Sequence, residues 1–335
     1  GYEDKNSNGN YEIYIGSDDN IYGNINSSYL FAGMENLQVI NGLENIRFIN
    51  VTDINSMFFG DKKLQGINIS DNFNTSNVTN MDNLFRDCET LNEIKLNSEF
   101  NTLKVTTMKN MFRNCKNVET LSLGTEFDTT NVTNMSNMFN GLEKIRNINL
   151  ENKFNTTNVT NMEYMFANCK KLKGINFTDN FNTSNVENMR YMFYNCNSSE
   201  YINLGENFNT EKVKDMSYMF AENNTLSSIQ LPNEFNTKSV VNMNGMFYNC
   251  NNADEINLGS KFYTIKANNM NNMFEKCSKL VALDLGPAFT NIANSNANML
   301  KDCGKSANST IYCGEAIYSD INNLRLNPNS EVLIN

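Results

Sequence analysis

The chain reads as an α/β solenoid: a right-handed, leucine-rich-repeat-like coil of about ten 27-residue turns, each a short parallel strand plus a short helix. Three observations predict it. Phenylalanine recurs at Phe73, Phe100, Phe127, Phe154, Phe181, Phe208, Phe235, Phe262 and Phe289, 27 residues apart each time. Further columns keep the same beat, with valines from Val78 to Val240, methionines from Met81 to Met270 and a second phenylalanine set from Phe58 to Phe274. Within each turn the apolar spacing switches from a helical to an extended period. A fixed period of this size means a stack of units, each hiding its apolar face only against its neighbours. Length alone would admit two domains, but the unbroken repeat overrules that prior.

The elements follow in chain order. The repeat runs from about residue 19 to about residue 300. Residues 1–29 read as an N-terminal cap and lead-in, with strand-like runs in YEIYIG and NIYGN. Residues 30–300 form the solenoid. In each turn FNTSNV is too short and polar for a helix, so it reads as an extended or turn segment. Next, Met135, Met138, Phe139 and Leu142 stand at i, i+3, i+4, i+7, one face of a short helix. Thr133 or Asn134 would be its N-cap. In the L-x-x-I-x-L segment of Leu91, Ile94 and Leu96, the last two share one face of a short strand. Residues 301–335 form a C-terminal cap, with a last strand at Thr310–Cys313 and a helix from about Glu315 to Leu324 laid across the open end.

Composition narrows the function. Hydrophobic residues make up 40%, enough to fill a narrow core, and histidine is absent. The net charge of −10 argues against nucleic acid, which demands basic stripes, and against adsorption to anionic membranes. No apolar run approaches the ~18 residues that span a bilayer. The opening GYEDKNSNGN reads as a boundary at which a signal sequence and an anchor would have been trimmed away.

Cys88, Cys115, Cys169, Cys196, Cys250 and Cys277 share one column, in which Leu142 and Asn223 replace cysteine in two turns. A column that accepts leucine packs, so these thiols read as small buried hydrophobes. Cys303 and Cys313 lie outside that column. A disulfide between them is one reading, and would pin the end of the rod.

The phrase MFRNCKNVETLSL resembles the leucine-rich repeat of BspA-type bacterial surface proteins, and FNTSNVTNM resembles the longer variant of mycoplasma-type lipoproteins. SSYLFAGMENLQVING resembles the lead-in to such arrays. The resemblance covers most of the chain. It implies an extracellular, surface-anchored domain for adhesion or host interaction, and it names no ligand.

Four candidate sites follow. The first is the outward strand face, where Lys95, Asn149, Asn176, Tyr201, Asn203, Gln230, Glu255 and Asn257 stand on the side away from the core. A solvated polar face without a partner is the plain alternative. The second is the column of Tyr164, Tyr191 and Tyr218, which reads equally as a contact patch or as half-buried ridge packing. The third is the threonine ladder Thr75 to Thr264. It could match an ice lattice, but it suits turn backbone groups better. The fourth is DKNSNGNYE, which sets Asp4, Asn6, Asn8 and Gly9 at the first, third, fifth and sixth positions of a calcium loop. Ile15 stands at the twelfth, where a glutamate is wanted. An Asn-rich linker explains that run at least as well, and no metal or cofactor is expected.

Catalysis by histidine is impossible, and no Asp or Glu recurs beside a recognisable partner. The expected function is therefore a monomeric binding or adhesion module for a host or neighbouring-cell surface protein or glycan. A passive stalk displaying another domain is the alternative, and an ice-binding solenoid comes third.

Overall fold

The computed structural model describes residues 2–3, 12–13, 20–69, 73–97, 100–150, 153–177, 180–197, 202, 204, 208–232, 234–305, 308–324 and 330–334. It is a parallel β-solenoid built on two ladders. One consists of single-residue bridges, running unbroken from Asn26 through Asp53, Asn80 and onward to Ser295. The other is made of three-residue strands such as Glu93–Lys95, Thr120–Ser122, Asn147–Asn149 and Gly174–Asn176. Strands pair in parallel at the repeat offset, for example Ile94 with Leu121 and Ile148 with Ile175. At the C-terminal end, Ser228–Gln230, Glu255–Asn257, Ala282–Asp284, Thr310–Cys313 and Glu331–Ile334 form one five-stranded sheet. The helix there is shorter than expected. A 3-10 turn at Glu315–Ile317 leads into an α-helix at Tyr318–Leu324, which packs on the last strand through buried Ile321.

The column residues fill the interior. Phe139 stacks on Phe112 at 5.8 Å and on Phe166 at 5.5 Å between ring centroids, with the planes nearly parallel. The other phenylalanine column stacks likewise, Phe235 on Phe262 at 6.5 Å. These separations suit offset stacking, which adds about 0.5–1.5 kcal/mol per pair beyond burial.

The short helix expected in each turn does not form. Met135, Met138, Phe139 and Leu142 are all fully buried, as their spacing requires. Yet the backbone is a chain of tight turns. Met138, Asn140 and Leu142 donate three residues back, to the carbonyls of Met135, Asn137 and Phe139. The alternate amides of Met135, Asn137, Phe139 and Gly141 donate to Asn161, Glu163, Met165 and Ala167 of the next turn, at 2.8–3.0 Å. An α-helix would have kept all of these bonds inside the segment. What prevents it is a pair of left-handed residues four apart, Asn137 at φ 59° and Gly141 at φ 80°, repeated as Asn110 with Asn114 and Asn83 with Asp87. Asn, Asp and Gly tolerate that conformation at little cost. Asn134 caps no helix; its Oδ1 accepts the Ser136 amide at 2.9 Å in an Asx-turn.

The last turn is one residue short. Asn291 still pairs with Thr264, 27 residues earlier, but Ser295 bridges Asn269, 26 residues earlier. Counted through this deletion, Cys303 belongs to the cysteine column. Its amide donates to Leu300, as that of Cys277 donates to Phe274, and its predecessor Asp302 is left-handed, as Lys276 is.

Candidate functional site

The strand face has the geometry that alternation predicts. Ile94 and Ile148 point inward and are buried, while Glu93, Lys95, Asn147 and Asn149 are exposed. Further along, Gln230 and Glu255 are exposed, and Asn257 is half-buried. The register places Gln230 beside Asn257 and Asn149 beside Asn176. Gln230 Nε2 donates to Glu255 Oε1 at 3.1 Å across the ladder. Tyr201 and Asn203 lie outside the described residues, as do Asp4, Asn6, Asn8 and Gly9 of the calcium-loop reading. Toward the N-terminal end the face dips. Val39, Ile40, Gly66, Ile67, Glu93 and Lys95 line a shallow groove with apolar residues beside an acid and a base. Gly66 opens it: a Cβ built there would touch nothing. The sequence signal was present, since Gly66 stands in the outward column, but the depth of the groove depends on which neighbours pair with it.

Tyr164, Tyr191 and Tyr218 share no helix, but they do come together. Tyr191 stacks on Tyr164 at 4.5 Å and on Tyr218 at 4.8 Å, and Tyr194 and Tyr248 pack edge-on against the row. All three stand at φ between 55° and 57°, a conformation that is unusual for so bulky a side chain. The row ends where Tyr218 lies over Gly245, at which a Cβ would come within 2.4 Å of its ring. Burial raises the Tyr164 hydroxyl above its ordinary range, with Tyr191 adding to the effect. Because the rings face one another, the row offers mainly edges and hydroxyls to solvent.

The threonine ladder faces inward. Thr75, Thr102, Thr129 and Thr156 are buried, and their hydroxyls donate to carbonyls of the next turn at 2.6–2.8 Å, as Thr156 does to Asn182. These positions therefore present no hydroxyl array to ice.

The cysteine column does more than pack. Cys88, Cys115, Cys169, Cys196, Cys250 and Cys277 each place Sγ 3.0–3.2 Å from the carbonyl of the phenylalanine thirty residues earlier. Burial pushes the thiols of Cys196, Cys250 and Cys303 up to about 12. Thiols held neutral in this way are poor nucleophiles and poor metal ligands. Cys303 and Cys313 are both free and buried, so the bridge between them is not formed. Cys303 is instead spent on the column, close enough to Cys277 to raise its thiol.

Ion pairs also follow the repeat. Lys116 reaches Glu89, Lys153 reaches Glu126 and Lys170 reaches Glu143, each one turn earlier, at 2.8–2.9 Å. Among the described residues, no three His, Cys, Asp or Glu cluster as metal ligands would, and no helix is long and apolar enough to cross a membrane.

Among curated proteins none matches. Of solved structures, the T. pallidum leucine-rich repeat protein TpLRR is 15% identical, with 72% of this chain and 85% of that one covered and a TM-score of 0.36. A leucine-rich repeat protein from Eubacterium ventriosum is 18% identical with a TM-score of 0.42, over 69% of this chain and 58% of that one. The pneumococcal vaccine antigen PcpA is 13% identical with a TM-score of 0.40, over 87% of this chain and 76% of that one. A family match spans residues 25–122, 114–201 and 196–311. The mycoplasma-type resemblance of FNTSNVTNM is thus borne out, and the chain belongs to the family described as Mycoplasma protein of unknown function, DUF285.

Proposed function

We propose that this domain is a non-catalytic binding module, displayed outside the cell on an anchored full-length protein, that recognises a protein or glycan through its strand face. One observation carries the reading. The turns serve as controls for one another, and the outward strand positions change identity from one turn to the next. Lys95, Ser122, Asn149, Gln230 and Asp284 occupy one such column, and Glu93, Thr120, Asn147, Ser228 and Ala282 the other. Two interior columns, by contrast, hold phenylalanine at every turn, from Phe58 to Phe274 and from Phe73 to Phe289. A rigid array that varies on one face suits recognition by distributed contacts. The groove between Val39 and Lys95, with its apolar lining and opposite charges, suits one end of such a ligand. The buried, neutral thiols support the absence of chemistry.

The test is binding to a panel of host matrix proteins and to a glycan array, by wild type and by Lys95→Glu and Glu255→Lys. The expected result is a ligand whose affinity falls at least about tenfold (~1.4 kcal/mol) in one variant while the melting temperature holds. A flat response to the whole panel favours a stalk. The unbroken ladder from Asn26 to Ser295 suits that reading, since its ten steps extend about 48 Å at roughly 4.8 Å each.

A further inference from the structure

Near its start, the cysteine column holds a residue that is neither cysteine nor apolar. Asp61 stands 27 residues before Cys88, and its side chain is fully buried. Its Oδ1 accepts the Met34 amide of the preceding turn at 2.8 Å, and its Oδ2 is buried without a partner. A carboxylate oxygen left so in an apolar interior is strongly disfavoured.

Asn223, elsewhere in the same column, shows what that second position is for. Its Oδ1 accepts the Cys196 amide of the preceding turn at 2.7 Å, as Asp61 Oδ1 accepts that of Met34. Its Nδ2 then donates to the Phe193 and Phe220 carbonyls at 2.8 and 2.7 Å. In the cysteine turns the thiol fills the donor's place toward the same phenylalanine column. The counterparts for Asp61 are the carbonyls of Phe31 and Phe58. Phe58 already receives the Cys88 thiol and the Asp61 amide. The site around Oδ2 is thus built for a hydrogen-bond donor, and a carboxyl group can be one only when it carries a proton.

We infer that Asp61 is held as a neutral carboxylic acid whose Oδ2 proton goes to the Phe31 carbonyl, which makes the first turns of the coil a pH-sensitive joint. Among the described residues, no cation pairs with Asp61. Lys62 reaches outward to Glu35, and the titratable group facing Asp61 from the following turn is the buried Cys88 thiol, which burial pushes up. Burial raises the Asp61 carboxyl from 3.8 to about 7. A folded-state value above the unfolded one means that the native chain binds the extra proton. Stability from this group is complete below about 4, falls as pH rises toward about 7 and levels off above it.

Two measurements test the inference. In infrared spectra of the wild-type protein in heavy water near pH 6, a protonated-acid carbonyl band should appear, fade as pH passes about 7 and be missing from Asp61→Asn. In thermal melts, Asp61→Asn, which restores the donor seen at Asn223, should melt several degrees above wild type at about pH 8, with the gap closing toward about pH 4. A wild-type spectrum without that band overturns the assignment, whether or not the variant folds. A gap that ignores pH, or a variant less stable than wild type at about pH 8, overturns it as well.

Discussion

The Met-Phe side of each turn and the strand face run the same length of coil but obey different rules. On the Met-Phe side, the residues that fill the core scarcely change. Met135, Phe139 and their equivalents fill the core, Asn137 and Gly141 hold left-handed backbone, and alternate amides are committed to the next turn. On the strand face only the inward residue is held apolar, as at Ile94, Leu121 and Ile148, while its neighbours run from Glu93 and Lys95 to Thr120 and Asn149. Both sides are tied from turn to turn by backbone hydrogen bonds. The difference is that on one side a side chain must also fill a hole or suit a positive φ, and on the other it only faces water. Identity is constrained where the side chain has such a task.

The contrast predicts a graded series. Phe139→Ala should have the largest effect, about 3–5 kcal/mol, because it opens a hole between two stacked rings. Chemical denaturation checks it, and a loss below about 1 kcal/mol would mean that the stack closes over the gap. Asn137→Val comes next, at about 1–2 kcal/mol, from placing a β-branched residue at φ 59°, whereas Asn137→Gly should sit near zero apart from its lost bond to Asn140. Equal losses in the two would show that the side-chain bond matters more than the backbone conformation. Smallest of all, Lys95→Ala on the open face should shift stability by less than about 0.5 kcal/mol. A large loss there would erase the distinction between the faces.

Much of this was legible in the residues. The buried positions, the strand triplets and the outward set at Lys95, Asn149, Gln230 and Glu255 follow from spacing alone. The helix did not follow, because the burial of Met135, Met138, Phe139 and Leu142 suits either a helical face or a run of tight turns. The clue was the Asn, Asp or Gly recurring at the two left-handed columns. Tyrosine at three of those positions, Tyr164, Tyr191 and Tyr218, obscures it. Cys303 was misplaced because counting by 27 passes over the deletion between Asn291 and Ser295. Asp61 was overlooked because it shares its column with cysteine, and a thiol and a protonated carboxyl look alike only once the carbonyl they face is known.

The period, the number of turns and the choice of core residues belong to the amino-acid string itself. Each turn is the template for the next, and stacking like on like leaves a single register that buries every apolar column. The path of the backbone inside a turn, the hidden direction of the threonine hydroxyls and the donor role of the cysteine column arise only in the assembled coil. Their partners are carbonyls some thirty residues away, brought within hydrogen-bonding distance by stacking and absent from any local stretch of chain.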